Sequence, residues 1–182
     1  MTEVHAGRAL IKAEEFWRLC ADGHRRELVH GKVVPMSPVG GSHGGSVVKL
    51  AIRVGGHAEK HDLGWVTTEV GFVLARGPDL VRGPDLAFVA KARVPSPVPS
   101  TFVELAPDLV VEVVSPGDTF SEVFEKVREY LAYGVREAWV VDGRSRRLFR
   151  QRGAEPMQVL GPDDVLTTDL LPGLSLRVSE VL

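Results

Sequence analysis

A mixed α/β domain is predicted for this sequence by three observations. Continuous apolar runs of strand length, such as Leu109 to Val114 and Glu137 to Val141, stand between segments with helical three-to-four spacing of apolar residues. Gly and Pro clusters fall between these segments and separate them. The chain has 182 residues of which 44% are hydrophobic, enough to fill one core and too few for two comfortable domains, so residues 1–182 are read as one domain.

Ala13 to Ala21 reads as a short helix in which Phe16, Leu19 and Cys20 share a face. Arg26 to His30 and Lys32 to Met36 flank Gly31 as a hairpin, and Ser37 to Gly41 forms a loop. Ser42 to His61 is the first long helix: Val47, Leu50, Ala51, Val54 and Ala58 keep one face apolar despite four glycines. Trp65 to Ala75 reads as a strand, Gly77-Pro78-Asp79 as a turn, and Asp85 to Ala90 as the next strand. Pro95, Pro97 and Pro99 oppose regular structure and mark an exposed connection. Leu109 to Val114 is the most apolar strand and ends at Ser115-Pro116-Gly117; Asp118 can cap a helix that runs to about Tyr133 and stops at Gly134. Glu137 to Asp142 pairs through Gly143 with Arg147 to Arg150, and the tail from Val159 to Leu182 holds short strand-like pieces. The core order is helix, three strands, helix, strand, with β-hairpin additions at both ends.

Composition narrows the function classes. A net charge of -2 offers no global basic field, so any nucleic-acid binding must rest on local patches. The single cysteine, Cys20, excludes an intrachain disulfide framework and a cysteine zinc cluster, and it reads as a small packing residue in a reducing, cytoplasmic setting. Met1 to His5 lacks the pattern of a signal peptide, and no apolar run approaches membrane-spanning length, so no membrane association is expected.

Two acids stand in apolar company. Asp85 opens one predicted strand and Glu112 interrupts another, Leu109-Val110-Val111-Glu112-Val113-Val114. A buried carboxylate costs several kcal/mol unless a cation, hydrogen bonds or a metal compensates it. On neighbouring strands the pair would sit roughly 5 Å apart, close enough to share one hard divalent ion. Lys126, on the following helix, lies about 40° outside an apolar arc of roughly 120°, so its long stem can cross the seam toward the end of the Glu112 strand. Asp, Glu and Lys converging at strand ends is what metal-dependent phosphodiester hydrolysis needs. The plainer readings are a turn role for Asp85, a structural ion pair of Glu112 with Arg82 or Lys126, and pairing of Lys126 with Glu122 or Glu129.

Arg82-Gly83-Pro84-Asp85-Leu86-Ala87-Phe88-Val89, Pro107 to Pro116, Lys126 to Tyr130 and Gly134 to Asp142, with Arg26 to Val34 and His43, together resemble the Uma-type branch of the restriction-endonuclease-like superfamily, whose shared motif is PD-(D/E)xK. The resemblance covers about residues 26–142 and leaves 143–182 as a C-terminal β extension. It implies a restriction-endonuclease-like core, a mixed central β-sheet flanked by helices, and a DNA endonuclease dependent on Mg2+ or Mn2+; two active sites are needed to cut both strands of a duplex, so a homodimer is expected. By the same resemblance Asp85, Glu112 and the Val113 main-chain carbonyl hold the ion. The motif's usual lysine position is Val114 here, and Lys126 stands where the branch carries a migrated lysine that stabilises charge at the phosphate. Glu27 and His43 are implied near the acids, Glu27 as a further metal ligand or proton carrier and His43 likewise; the plainer readings pair Glu27 with Arg25 or Lys32 and make His43 a helix cap. The competing function is a nuclease-like fold used as a non-catalytic nucleic-acid or protein interaction module.

Three further patterns carry less. His57 and His61 stand one helical turn apart, but Ala58 replaces the glutamate of a zinc-protease motif. Gly40 to Gly45 precedes a helix without the Gly-Lys-Ser/Thr ending of a nucleotide loop, and reads as a flexible loop beside the cleft. Arg144, Arg146, Arg147, Arg150 and Arg152 form one basic cluster that fits either DNA phosphates or a solvated hairpin.

Overall fold

A computed structural model describes residues 10–182 of the protein; the Met1 to His5 stretch read above for targeting signals lies outside the described residues. Helix α1 (Ala13–Leu19) buries Ala13 and Phe16, and the hairpin of β1 (Arg26–Val29) and β2 (Lys32–Pro35) follows. His30 and Gly31 both take positive φ, 48° and 76°, the pattern of a tight turn whose twist matches paired antiparallel strands. Helix α2 (Gly41–Leu50) runs through a wider turn at Ala51–Gly55 directly into α3 (Gly56–Lys60). Strands β3 (Gly64–Thr67), β4 (Phe72–Ala75), β5 (Leu80–Arg82), β6 (Leu86–Ala90) and β7 (Leu109–Val113) precede helix α4 (Phe120–Ala132). After it come β8 (Glu137–Asp142), β9 (Arg147–Arg152), β10 (Gln158–Leu160), β11 (Val165–Leu166) and β12 (Leu176–Arg177).

The central sheet is mixed, in the order β10-β9-β8-β7-β6-β3. Only β7 and β8 run parallel, because α4 carries the chain back across the sheet between them, whereas the other neighbours pair antiparallel. Alternation along β7 divides the core between its two faces. Val111 and Val113 pack with Leu50, Val54 and Ala58 of the α2–α3 helix, while Val110 packs with Val123, Val127 and Tyr130 of α4. Beside this sheet lies a second, four-stranded one in the order β2-β1-β5-β4.

Several local expectations change. The predicted strand Trp65 to Ala75 is two strands in different sheets, β3 in the six-stranded and β4 in the four-stranded. Glu69 takes φ 58° in the bend between them, and Gly71 sits where a Cβ would lie 2.4 Å from the Phe102 ring. Strand β5, only three residues between two Gly-Pro steps, was not expected. The cap of α4 is Thr119, not Asp118: Thr119 and Glu122 form a reciprocal capping box, while Asp118 accepts a hydrogen bond from the Ser115 amide. Gly41 to Gly45 are helical in α2 and do not form a flexible loop. The C-terminal tail is more than decoration, since Leu166, Leu171, Leu176, Val178 and Val181 are buried in the same core as α2 and β7. Among the described residues, no helix is long and apolar enough to cross a membrane.

Candidate functional site

The end of β7 and the start of β6 lie side by side. Leu86 pairs with Val111 in the antiparallel register, and one further step back along β6 brings Asp85 next to Glu112. Asp85 is 6% exposed and is anchored by its Oδ2, which accepts the Val113 amide N–H at 2.7 Å and lies 3.1 Å from His43 Nε2. The link from Val113 to Asp85 thus runs through the amide of Val113. His43 comes from the first turn of α2, 5% exposed; the cap position of that helix is Gly40, so His43 is not its cap.

Glu112 faces the opposite side of β7 from Val111 and Val113, toward α4. Lys126 and Tyr130, one helical turn apart, both reach it: Lys126 Nζ lies 2.9 Å from Glu112 Oε1, and the Tyr130 hydroxyl donates to the same oxygen at 2.8 Å. The ammonium also sits 5.9 Å from the centre of the Tyr130 ring. Lys126 Nζ is 3.0 Å from Glu27 Oε1, which also accepts the Gly83 amide, while Glu27 Oε2 takes a 2.6 Å hydrogen bond from Arg82. Arg82 in turn donates to Glu129 at 2.6 Å, and His30 lies 3.2 Å from the other oxygen of Glu129.

These distances settle most of the competing pairings. Lys126 pairs with Glu112 and Glu27 rather than Glu122 or Glu129; Glu27 pairs with Arg82 and Lys126 rather than Arg25 or Lys32. Glu129, with 15% of its side chain exposed, is tied to Arg82 instead. Tyr130, whose hydroxyl the structure brings to Glu112, is not among the residues singled out from the sequence. Its spacing of four from Lys126 was the available signal, since a residue one turn from a lysine aimed at a buried acid shares that acid's surroundings.

Burial dominates the electrostatics. It pushes the Glu112 carboxyl up to about 7; Lys126 opposes the shift, and the charges of Asp85 and Glu27 add to it. Lys126 loses hydration too, but Glu112 and Glu27 outweigh that and hold it protonated above its ordinary range. Burial would raise Glu27, yet Lys126 and Arg82 bring it below the ordinary glutamate value. His43 is raised chiefly by its hydrogen bond to Asp85, and burial drives the Tyr130 phenol well above its ordinary value. Three buried acids, Glu27, Asp85 and Glu112, therefore face two permanent cations, Lys126 and Arg82, and the cluster favours an added positive charge.

The consequence for stability can be measured. A carboxyl whose folded value is raised binds its proton more tightly folded than unfolded, so Glu112 removes stability as pH climbs from about 4.5 to about 7. The loss is on the order of 3 kcal/mol. Without divalent ions, Glu112→Gln is expected to flatten the fall in melting temperature across that window, and equal pH slopes for both proteins would count against a raised Glu112.

Asp85 Oδ1 and Glu112 Oε2 take part in no hydrogen bond to another described residue, and neither is sealed from solvent; the sole fully buried unpartnered side-chain nitrogen or oxygen among the described residues is His43 Nδ1. Among the described residues no three His, Cys, Asp or Glu side chains are grouped as a metal centre. His57 is engaged with the Pro172 carbonyl at 3.0 Å, and its ring lies 4.5 Å from that of His61, tilted by 41°. A cavity of about 490 Å³ opens at the start of β8, beside Arg136, Glu137 and Arg152. It is remote from the acids, and Glu137 there is already saturated by Trp139, Arg150, Arg152 and Thr168.

Residues 13–179 match the Uma2 family model, described as "Putative restriction endonuclease". Among solved structures, the chain is similar to that of "a putative nuclease belonging to DUF820" from Anabaena variabilis. The TM-score is 0.82 and the identity 19%, over 94% of this chain and 97% of that one. At that identity the likeness shows the fold, a nuclease-like one. No curated protein matches the chain.

Proposed function

Since the chain belongs to the Uma2 family of restriction-endonuclease-like proteins, we propose that it is a divalent-metal-dependent endonuclease hydrolysing DNA phosphodiester bonds, with Asp85, Glu112 and Lys126 as its central residues. One observation carries this reading: residues from three separate stretches of sequence meet in a buried cluster that has more acid than base, with an oxygen of each of two acids left without a protein partner.

The donor set fits a hard cation. Asp85, Glu112 and the Val113 carbonyl are all oxygen donors, and Mg2+ or Mn2+ is held by one or two carboxylates with the remaining positions left to water and substrate. When bound, such an ion makes water more acidic and offsets charge on the phosphate. The chain's own residues do the rest. Val113 N–H and His43 fix Asp85 so that Oδ1 is the oxygen turned free. Tyr130 orients Glu112 in the same sense, holding Oε1 and freeing Oε2. Lys126, kept protonated by Glu27 and Glu112, stabilises the charge that grows on the pentavalent phosphate. His43, held against Asp85 through Nε2 with Nδ1 unpartnered, serves as a proton carrier, and Glu27 positions Lys126. Cutting both strands of a duplex calls for two such sites, and a homodimer supplies them.

A second reading rests on the same contacts. Lys126 already bridges Glu27 and Glu112 without a metal, as a non-catalytic nucleic-acid or protein interaction module would allow. The discriminating experiment incubates wild-type protein with supercoiled and single-stranded DNA in Mg2+, in Mn2+ and in chelator. Nicking that requires the metal is expected. No cleavage of either substrate under any condition would move the assignment to the module.

A further inference from the structure

The five-arginine cluster of the sequence divides in two in the folded chain. Arg150 and Arg152 turn to the buried carboxylate of Glu137, at 2.8 and 2.7 Å, and have a structural role. Arg144, Arg146 and Arg147 behave differently. All three are exposed, Arg144 and Arg146 in the turn between β8 and β9 and Arg147 as the first residue of β9, and none is ion-paired among the described residues. That turn is built rather than loose. The buried Asp142 carboxylate accepts the Arg144 amide at 3.0 Å and the Ser145 amide at 3.3 Å, and Arg146 takes φ 53°. The backbone is held from beneath while the three arginines stay exposed, with the Arg147 guanidinium beside Gly161.

Their place on the sheet gives them a use. Strands β7 and β8 are parallel, with Glu112 opposite Val140 and Val113 opposite Val141. Both strands therefore end at the same edge of the sheet, where Asp85 meets Val113. Strand β8 ends at Asp142, two residues beyond Val140, and Asp142 pairs with Arg147, so the turn begins roughly 7 Å along the strand direction from the level of Glu112. Three like charges within four residues repel one another unless anions gather round them, and guanidinium matches the paired oxygens of a phosphate. In a chain of net charge -2 such a patch is a local exception.

We propose that the β8–β9 turn holds the phosphate backbone of the nucleic-acid substrate beside the Asp85, Glu112 and Lys126 cluster, through Arg144, Arg146 and Arg147. This rests on the nuclease reading above. The turn supplies affinity that is independent of base sequence and sets where the strand crosses the acids.

The test is fluorescence anisotropy of labelled duplex and single-stranded DNA with the full chain, in Ca2+ and across a salt series. The variant R144A/R146A/R147A is compared with R18A/K60A/R177A, which removes the same charge from other exposed positions. The turn variant is expected to bind at least about tenfold more weakly, with its salt dependence shallower by about three ion equivalents, while the control stays near wild type. In the nicking assay it raises KM and leaves kcat near wild type. Wild-type affinity and salt slope in the turn variant, or equal losses in both triple variants, would overturn the turn's role. If wild type nicks DNA and the turn variant is unchanged, only this inference falls; if wild type neither binds nor nicks, the nuclease reading falls with it. Arg146→Glu, a single exposed change, is the second variant should the triple melt early, and it is expected to weaken binding in the same direction.

Discussion

Replacing Lys126 with alanine is expected to lower metal-dependent nicking by on the order of 100-fold or more, because the ammonium lies 2.9 Å from Glu112 and acts on charge that appears only at the transition state. The same change should lower stability. Lys126 lies between Glu27 and Glu112, with 13% of its side chain exposed, and its removal leaves two buried carboxylates without their shared partner, a loss of about 3–5 kcal/mol in comparable cases. The two effects separate by experiment. Divalent cations should restore the melting temperature of the variant by more than they raise that of wild type, since an added ion replaces part of the missing charge. They should not restore nicking. A variant that melts early yet nicks at the wild-type rate at a permissive temperature would make Lys126 a structural ion pair and nothing more.

Asp85→Asn is expected to abolish calorimetrically detectable Mg2+ or Mn2+ binding while keeping the fold. The asparagine oxygen can still accept the Val113 amide N–H that Asp85 Oδ2 takes at 2.7 Å, so the start of β6 stays anchored. What disappears is the charge, and the oxygen that had no protein partner becomes an amide nitrogen, which does not ligate hard cations. A second readout is independent of metal. His43 is held above its ordinary value chiefly by the hydrogen bond to Asp85. In the variant its titration, followed by NMR, should move to lower pH, because burial is left to oppose the charged ring. Undiminished metal binding in Asp85→Asn would place the ion elsewhere; an unmoved His43 titration would break the proposed link between the two side chains.

Much of the fold could be read in advance where one segment's own pattern decided it. The run Leu109-Val110-Val111-Glu112-Val113 is a strand because all but one of its residues are apolar, and Glu112 stood out because it alone broke that run. The α4 helix was equally legible from its apolar spacing, although the Thr119 and Glu122 capping pair was a stronger signal for its start than Asp118. The split of Trp65 to Ala75 was not legible. Its bend is fitted against Phe102, about thirty residues away, and nothing in the local alternation reports that neighbour.

For the candidate site, the sequence by itself determined the residue types: two acids in or beside apolar strands, a lysine on the boundary of the next helix, and the family resemblance that joined Glu27 and His43 to them. Tertiary structure alone decided which atom each group meets. The β6–β7 register set Asp85 beside Glu112, and the packing of α4 delivered Tyr130 with Lys126 to one oxygen of Glu112. The second sheet brought Glu27 and Arg82 in from other strands. In the central sheet, pairing of β8 with β9 set Arg150 and Arg152 on the buried Glu137 and left Arg144, Arg146 and Arg147 exposed. The physical reason is range: periodicity and capping act over a few neighbouring residues, whereas the partner of a buried charge is chosen by whichever oxygen or nitrogen the packed elements bring within hydrogen-bonding distance.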